Sequence, residues 1–304
     1  MMIGNPMSAS ASTGDAWNKS REKLTKAGLE VEVAATQHAG HAIELAQKAA
    51  ESGCRKFIAA GGDGTVHEVL TGLLRYSDSA KVSLADFTLA VIPHGTGNDW
   101  IRSAGITDAE NAADAIIAGK TGKEDVVRMT MPQGVFAMAN IGGIGVDADI
   151  CIRTNRLKEK GRKGGFLYTM VAHLATLSRK RHPVEVTLDG EVAYTGKLFT
   201  ATLGNGAYRG GGLIQTAQDT KWDDGLLDIT LMPGYNHIKG LMLMLHCVSG
   251  DLAVQPGMIT KRFKKMTVKP LGKVADPVEV DGEIPGTLPL TMEVTGEQIN
   301  VIVA

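Results

Sequence analysis

Lys56-Phe57-Ile58-Ala59-Ala60-Gly61-Gly62-Asp63-Gly64-Thr65-Val66-His67-Glu68-Val69-Leu70 is the stretch whose reading decides the fold. Lys56 to Ala60 reads as a strand. After it, Val66, Val69, Leu70, Leu73 and Leu74 recur on one face of a helix. Thr65 with Glu68 three residues later has the form of a capping box, which predicts a helix start at that point. A glycine-rich turn between strand and helix lets the backbone approach a phosphate closely, and the helix N-terminus favours negative charge. An aspartate in that turn would repel phosphate unless a divalent cation lies between them. Asp63 therefore points to Mg²⁺ chemistry rather than to simple anion binding.

The same alternation extends to both sides. Val31 to Ala34 reads as a strand, His41 to Ser52 as a helix closed by Gly53, Thr88 to Ile92 as a strand, and Asp108 to Gly119 as a helix. Ser8 to Ser12, a short Ser/Ala stretch, reads as a mobile loop. Strands alternating with helices predict a mostly parallel sheet covered by helices. A second glycine-rich loop, Pro93-His94-Gly95-Thr96-Gly97-Asn98-Asp99, follows the Thr88 strand. Two such loops at the carboxyl ends of parallel strands belong where α/β sheets bind ligands. Asp99 is either an N-cap or a partner of Asp63 on one hydrated Mg²⁺.

After about Val127 the texture changes. Val184 to Leu188, then Asp189-Gly190, then another strand-like run, is a hairpin signal. Further strand-like runs are Phe199 to Leu203, Leu226 to Met232, Met266 to Lys269, Val278 to Val280 and Ile299 to Val303, with helices expected at Gly165 to Arg181 and Asn236 to Ser249. The reading is two domains: an α/β domain over 1–127 and a β-rich sandwich over 128–304, whose last residues return to the first domain.

Composition bounds the function. The chain has 304 residues, 43% apolar and 21% charged, with a formal net charge of −1, which argues against a global attraction to nucleic acid. Cys54, Cys151 and Cys247 form no ligand cluster and read as reduced thiols of a cytosolic protein. Met1 to Pro6 has neither basic nor apolar signal character, and Leu241 to Val248 is too short to cross a bilayer. Any membrane contact is therefore expected to be peripheral. The basic runs Ser178 to Arg181 and Lys261 to Lys265 read first as solvated faces and second as contacts to anionic lipid. Gly119-Lys120-Thr121 is not a P-loop, because Asp114 stands where its first glycine belongs. Gly143 to Ala148 fits a loose dinucleotide fingerprint without a βαβ setting.

The ordered series of motifs resembles the diacylglycerol kinase catalytic family, which includes sphingosine and ceramide kinases. GGDGT and P-x-GTGND form its paired signature. Asn5-Pro6, Thr36 with Gly40-His41-Ala42, Gly204-Asn205, Gly210-Gly211-Gly212, Asp223 to Asp228 and Val280-Asp281-Gly282-Glu283 match its other elements in order. The chain departs from the pattern at Ser8 to Ser12, where the family has Ser-Gly-x-Gly, and at His67, where Asn is common.

The resemblance implies an NAD kinase-like nucleotide-binding α/β domain joined to a β-sandwich, with the active site between them. It implies ATP contacts from Asn5, Thr36, Gly62, Asp63, Gly64, Thr65, Val66, His67, Glu68 and Thr96. Asp63 and Asp99 are expected to act through Mg²⁺ and Glu283 as base. Asp224, with the Lys221 and Leu226 carbonyls, is expected to hold a second, structural divalent ion. The implied activity is transfer of the ATP γ-phosphate to a lipid hydroxyl, of diacylglycerol or a sphingoid lipid, by a cytoplasmic enzyme peripheral to the inner membrane face and open to homodimer formation. The rivals are an NAD kinase-like enzyme and a lipid- or nucleotide-binding regulator without catalysis. Asp281 competes with Glu283 as base, because on one strand the two would face the same side.

Overall fold

The computed structural model describes the backbone of residues 1–5, 11–95, 97–161, 165–214, 220–234 and 236–304, and their side chains except at 11–16, 159, 165–168, 237, 244 and 248. Thr96 and residues 8–10 of the expected mobile loop lie outside the described residues. Ala11 and Ser12 belong to a helix instead, because the first helix begins there.

The α/β half runs β1 (Met2–Gly4), α1 (Ala11–Lys26), β2 (Val33–Ala35), α2 (His41–Glu51), β3 (Lys56–Gly61), α3 (Asp63–Ala80), β4 (Thr88–Pro93), α4 (Asp99–Ser103) and α5 (Ala109–Ala118). The four strands are parallel in the order β2-β1-β3-β4, with Met2 opposite both Val33 and Ile58 and Lys56 opposite Thr88. The chain reverses its direction of travel between β1 and β3, which is where an open α/β sheet binds ligands. Phe57, Phe87, Leu70, Leu73 and Trp100 fill the core between sheet and helices.

The remaining elements are β5 (Thr121–Met131), β6 (Gly134–Met138), β7 (Ile141–Gly145), α6 (Val146–Glu159), α7 (Gly165–Ser178), β8 (Pro183–Leu188), β9 (Glu191–Gly204), β10 (Tyr208–Arg209), β11 (Leu213–Ile214), β12 (Leu227–Pro233), α8 (His237–Ser249), β13 (Ile259–Phe263), β14 (Lys265–Pro270), β15 (Pro277–Val280), β16 (Glu283–Thr287) and β17 (Leu290–Ile302). One sandwich layer is β8-β14-β17-β5-β6 and the other β16-β15-β7-β9-β12-β13. β9 serves both: its first half pairs with β8 and its second half with β7 and β12. Val186, Met266 and Met292 meet Leu203, Ile229 and Val278 between the layers. On the outer face of the second layer, Val146, Ile150, Val171, Ala175 and Leu243 of α6, α7 and α8 cover Phe199 and Met232.

β5 is continuous across Val127, so the change of texture read there falls inside a strand rather than between elements. β17 joins the halves. It runs antiparallel to β5 on either side of an irregularity between Val294 and Gln298, and its end lies parallel to β4, with Asn300 opposite Thr88. The strand-to-helix turn of β7 and α6 gives the loose fingerprint at Gly143 to Ala148 a local shape. Its strand neighbours, β9 and β15, are antiparallel, so no dinucleotide-binding βαβ unit forms. Cys151 and Cys247 are buried free thiols, and burial pushes Cys247 up to about 12.

Candidate active site

A cleft of about 260 Å³ opens at the carboxyl ends of β1 and β2, beside the N-terminus of α3. Asn5, Thr36, Gly64, Thr65 and Glu68 line it from the α/β half, together with Gln37, His38, Ala39 and Ala42, and Glu283 enters it from the sandwich. Sequence reading brought the first group and Glu283 together; Gln37 to Ala39 were missed, since nothing in a short polar loop marks it as a wall.

The helix start differs from the expected capping box. α3 begins at Asp63 with Gly62 as an extended N-cap that makes no side-chain cap bond. Glu68 is thus a full turn inside the helix, and its carboxylate reaches the neighbouring helix α2. The backbone N–H of Gly40 donates to its Oε1 at 2.8 Å and that of Ala42 to its Oε2 at 3.0 Å. Val66 and His67 follow the cleft residues Gly64 and Thr65 in the first turns of α3. Their side chains are buried in the core, 1% and 2% exposed, so a contact to a ligand from these two positions would run through the backbone. His67 Nδ1 donates to the Ala137 carbonyl at 2.7 Å, and burial lowers the imidazole to about 4, so it is neutral at ordinary pH.

The two glycine-rich loops meet at Gly62 and Gly95. A Cβ on Gly95 would lie 2.6 Å from the Gly62 Cα, so the loops approach this closely only because both residues lack side chains. Beside this contact stand the two aspartates. Asp63 accepts the Asp99 N–H at 3.1 Å and the Trp100 N–H at 2.9 Å, which satisfies the first turn of α4. Asp99 accepts the N–H groups of Gly211, at 3.0 Å, and Gly212, at 2.7 Å. Each aspartate also has an Oδ2 atom 3.2 Å from the point where a Cβ on Gly97 would sit, so the two carboxylates converge there. Burial, with the negative charge of Asp99 adding to it, holds the Asp63 carboxyl above its ordinary value. A carboxylate pair converging on a small residue, with Asp99 buried and Asp63 half-buried, is a donor set that fits a hydrated Mg²⁺ shared with phosphate oxygens.

Glu283 follows a two-residue turn at Asp281 (φ 50°) and Gly282 (φ 87°). Its Oε1 lies 2.8 Å from where a Cβ on Gly64 would be, over the N-terminal turn of α3. Any side chain at 64 would displace it. Loss of surrounding water, reinforced by the Glu68 carboxylate, raises the Glu283 carboxyl although its side chain still opens to solvent.

Asp281 takes another path. Its carboxylate accepts the N–H groups of Ala139, Asn140 and Ile141 at 2.8, 2.9 and 3.0 Å and is buried 3.7 Å from His67. The turn sends the two side chains apart, so they do not share a strand face. Glu279, which sequence reading missed, holds the turn from below: its Oε1 accepts the Gly282 N–H at 2.7 Å, and its Oε2 pairs with Arg209, which also binds Asp147. Burial raises Glu279 to about 7 against the pull of Arg209. A lone charge amid the apolar residues of β15 is the signal that could have found it.

The donor set expected around Asp224 does not fit a divalent ion as arranged. Asp224 Oδ2 pairs with Arg262 Nη2 at 2.6 Å and Oδ1 accepts the Leu226 N–H at 3.2 Å, so a guanidinium already supplies the positive charge. Lys221 lies in the irregular segment three residues before Asp224 and is exposed. Among the described residues no group of three or more His, Cys, Asp or Glu is arranged to hold a metal.

Residues 1–129 match the family described as the diacylglycerol kinase catalytic domain, and residues 141–303 that described as the YegS C-terminal NAD kinase beta sandwich-like domain. A diacylglycerol kinase of Bacillus subtilis (strain 168) is 30% identical over 284 residues, covering 92% of this chain and 86% of the relative. The crystal structure of a diacylglycerol kinase from Bacillus anthracis str. Sterne superposes with a TM-score of 0.69 at 24% identity, over 100% of this chain and 96% of that one. An NAD kinase from Archaeoglobus fulgidus in complex with ATP gives 0.51 at 14% identity, over 99% of this chain and 92% of that one, a likeness of fold alone. The chain thus belongs to the lipid kinase family in which a diacylglycerol kinase catalytic domain is followed by a YegS-type, NAD kinase-like β-sandwich.

Proposed function

We propose that this protein transfers the γ-phosphoryl group of ATP to the hydroxyl of a membrane lipid, with diacylglycerol or a sphingoid lipid as acceptor, at the inner face of the membrane. The observation that carries the reading is the Glu283 carboxylate standing over Gly64 at the N-terminus of α3, next to the converging pair Asp63 and Asp99. Phosphoryl transfer needs positioning and charge stabilisation more than covalent help. Asn5, Thr36 and Thr65 line the cleft for the nucleotide. The N-terminal amides of α3 favour its phosphates. Thr96, in the second glycine-rich loop, is assigned to the same nucleotide by its motif. Asp63 and Asp99 would hold Mg²⁺, which supplies neutralisation of phosphate charge. Glu283 accepts the lipid hydroxyl proton as that oxygen bonds to the γ-phosphorus and the bond to ADP breaks. A raised carboxyl pKa suits this role, because a base works best near the operating pH.

Incubation with radiolabelled ATP and a total lipid extract, with NAD in a parallel tube, tests the reading. A labelled phospholipid is expected. Label in NADP instead would assign the NAD kinase activity, and no label in either would leave a regulator. Asp63→Asn should lower kcat on the order of 10²-fold, because a neutral amide replaces the charge that holds the cation. Unchanged turnover in a variant with a normal circular dichroism spectrum would remove Asp63 from the mechanism.

The cation at Asp224 is open to a separate measurement. Asp224→Ala should cost about 1 kcal/mol of stability, and Arg262→Ala more, because Arg262 Nε also lies 3.5 Å from the buried Asp228 carboxylate. Wild-type melting curves with and without Mg²⁺ should coincide if Arg262 is the partner. A Mg²⁺-dependent rise lost only in Asp224→Ala would restore the divalent ion on Asp224 with the Lys221 and Leu226 carbonyls.

A further inference from the structure

Helices α7 and α8 pack on each other over the outer layer of the sandwich, and each leaves an apolar stripe turned away from it. Met170, Leu174 and Leu177 on α7 are 42–50% exposed, and Ile238, Met242 and Leu245 on α8 are 62–72% exposed. Both stripes follow the spacing i, i+4, i+7, which puts three side chains on one helix face. The opposite faces, with Val171, Ala172 and Ala175 on α7 and Leu243 and Cys247 on α8, are the buried ones. Six large apolar side chains on two adjoining helices form a patch of the kind that marks an interaction surface.

The charge beside the patch identifies the occupant. Residues 151–182 carry nine Lys or Arg and one acidic residue, in a chain whose net charge is −1. Arg156, Lys158 and Lys160 at the end of α6, Lys180 after α7 and Lys239 at the start of α8 are exposed. An apolar face bordered by cations is the chemistry of an anionic bilayer surface. A second copy of the chain fits less well, because a symmetric contact would set two such basic segments against each other. The same layer also touches the catalytic turn: from α6, Cys151 Sγ donates to the Gly282 carbonyl at 3.0 Å and Asn155 Nδ2 at 2.9 Å.

We infer that the α7–α8 face docks the protein on anionic lipid bilayers, with Met170, Leu174, Leu177, Ile238, Met242 and Leu245 entering the interface and the flanking Lys and Arg residues meeting the headgroups. The role in lipid delivery rests on the lipid kinase reading; the docking itself does not.

Co-sedimentation of the full chain with phosphatidylglycerol–phosphatidylcholine vesicles, against vesicles of phosphatidylcholine alone, tests it. Wild type should favour the anionic vesicles, and added salt should weaken the binding. Leu174→Glu with Leu245→Glu should weaken vesicle binding by about tenfold or more, since the membrane affinity of such a face scales with its buried apolar area. Both positions are at least half exposed, so the melting temperature should hold. Lys180→Ala with Lys239→Ala should weaken binding and flatten its salt dependence. Phosphorylation of a short-chain diacylglycerol in detergent micelles should survive all of these changes. If wild type binds vesicles but phosphorylates no lipid, the docking stands and the lipid kinase reading falls. Equal vesicle binding by wild type and the Glu double variant overturns the docking. So does an effect of that variant confined to self-association in sedimentation velocity.

Discussion

Two hairpins of this molecule carry the same three residues at the same bend. Leu188-Asp189-Gly190-Glu191 joins β8 to β9, and Val280-Asp281-Gly282-Glu283 joins β15 to β16. Both Asp residues have φ near 50° and both glycines φ near 90°, the conformation in which two-residue turns match strand twist. In both, the Asp N–H donates at 2.8 Å to a neighbouring strand connection, through Lys265 O in one case and Ile141 O in the other. In both, the Asp carboxylate then collects backbone N–H groups from that connection: Lys264 and Lys265 for Asp189, and Ala139, Asn140 and Ile141 for Asp281. The difference lies in the surroundings. Asp189 and Glu191 are exposed at the end of the sandwich. Asp281 is buried against His67 of α3, Glu279 grips its turn, and Glu283 emerges over Gly64. A turn motif therefore specifies a bend and a direction, and chemistry arises only where a second element comes to meet it.

The largest effect should separate the two glutamates. Glu283→Gln should lower kcat by about 10²–10⁴-fold with ATP affinity kept, and Glu191→Gln should leave kcat unchanged. Lipid-phosphorylation rates and nucleotide titrations of the pair would check this. Equal small effects would move the base elsewhere, and a loss confined to Asp281→Asn would give it to Asp281.

The aspartates should differ in stability. Removing Asp281 strands three buried N–H groups, so Asp281→Ala should cost about 3 kcal/mol or more, against about 1 kcal/mol for Asp189→Ala. Urea melts of both would show whether burial sets the difference; similar midpoints would mean that water reaches the Asp281 turn.

The glycines should barely differ. At φ of 90° and 87° neither Gly190 nor Gly282 has an atom within 4 Å of an added Cβ. Each Gly→Ala change should therefore cost about 1 kcal/mol, from backbone strain alone. A markedly larger loss at 282 would reveal strain in that turn that its open surroundings do not show.

Local signals made much of this legible. The Lys56 and Thr88 strands, the helix closed at Gly119 and the Asp189-Gly190 bend depend on neighbours in sequence, and each forms close to where its residues place it. The same holds for the loops that bring Asn5, Thr36 and Gly64 to one cleft, since parallel strands deliver their carboxyl ends to one side. What stayed hidden depends on distant partners. Thr65 and Glu68 satisfy a capping pattern, yet the N-cap is Gly62, three residues earlier, and Glu68 serves α2. Asp63 and Asp99 read as metal ligands, while their amide partners at Trp100, Gly211 and Gly212 come from elements that no local rule brings near. Glu124 is the extreme case: it is fully buried, accepts the Trp100 indole N–H, and is pushed well above the ordinary carboxyl value by burial, in a strand whose sequence gives no hint of it.

The β17 ladder has a consequence for synthesis. The strand that borders β4 and completes the parallel sheet comes from Asn300 and Val301 of β17, far along the chain from their partners Thr88 and Leu89. The α/β half emerges first, but its edge along β4 has no neighbour until residues 300 and 301 have been made. N-terminal units usually settle while the rest of a chain is still being made. Here the first half must wait for Asn300 and Val301, with an open strand edge exposed to other nascent chains in the meantime.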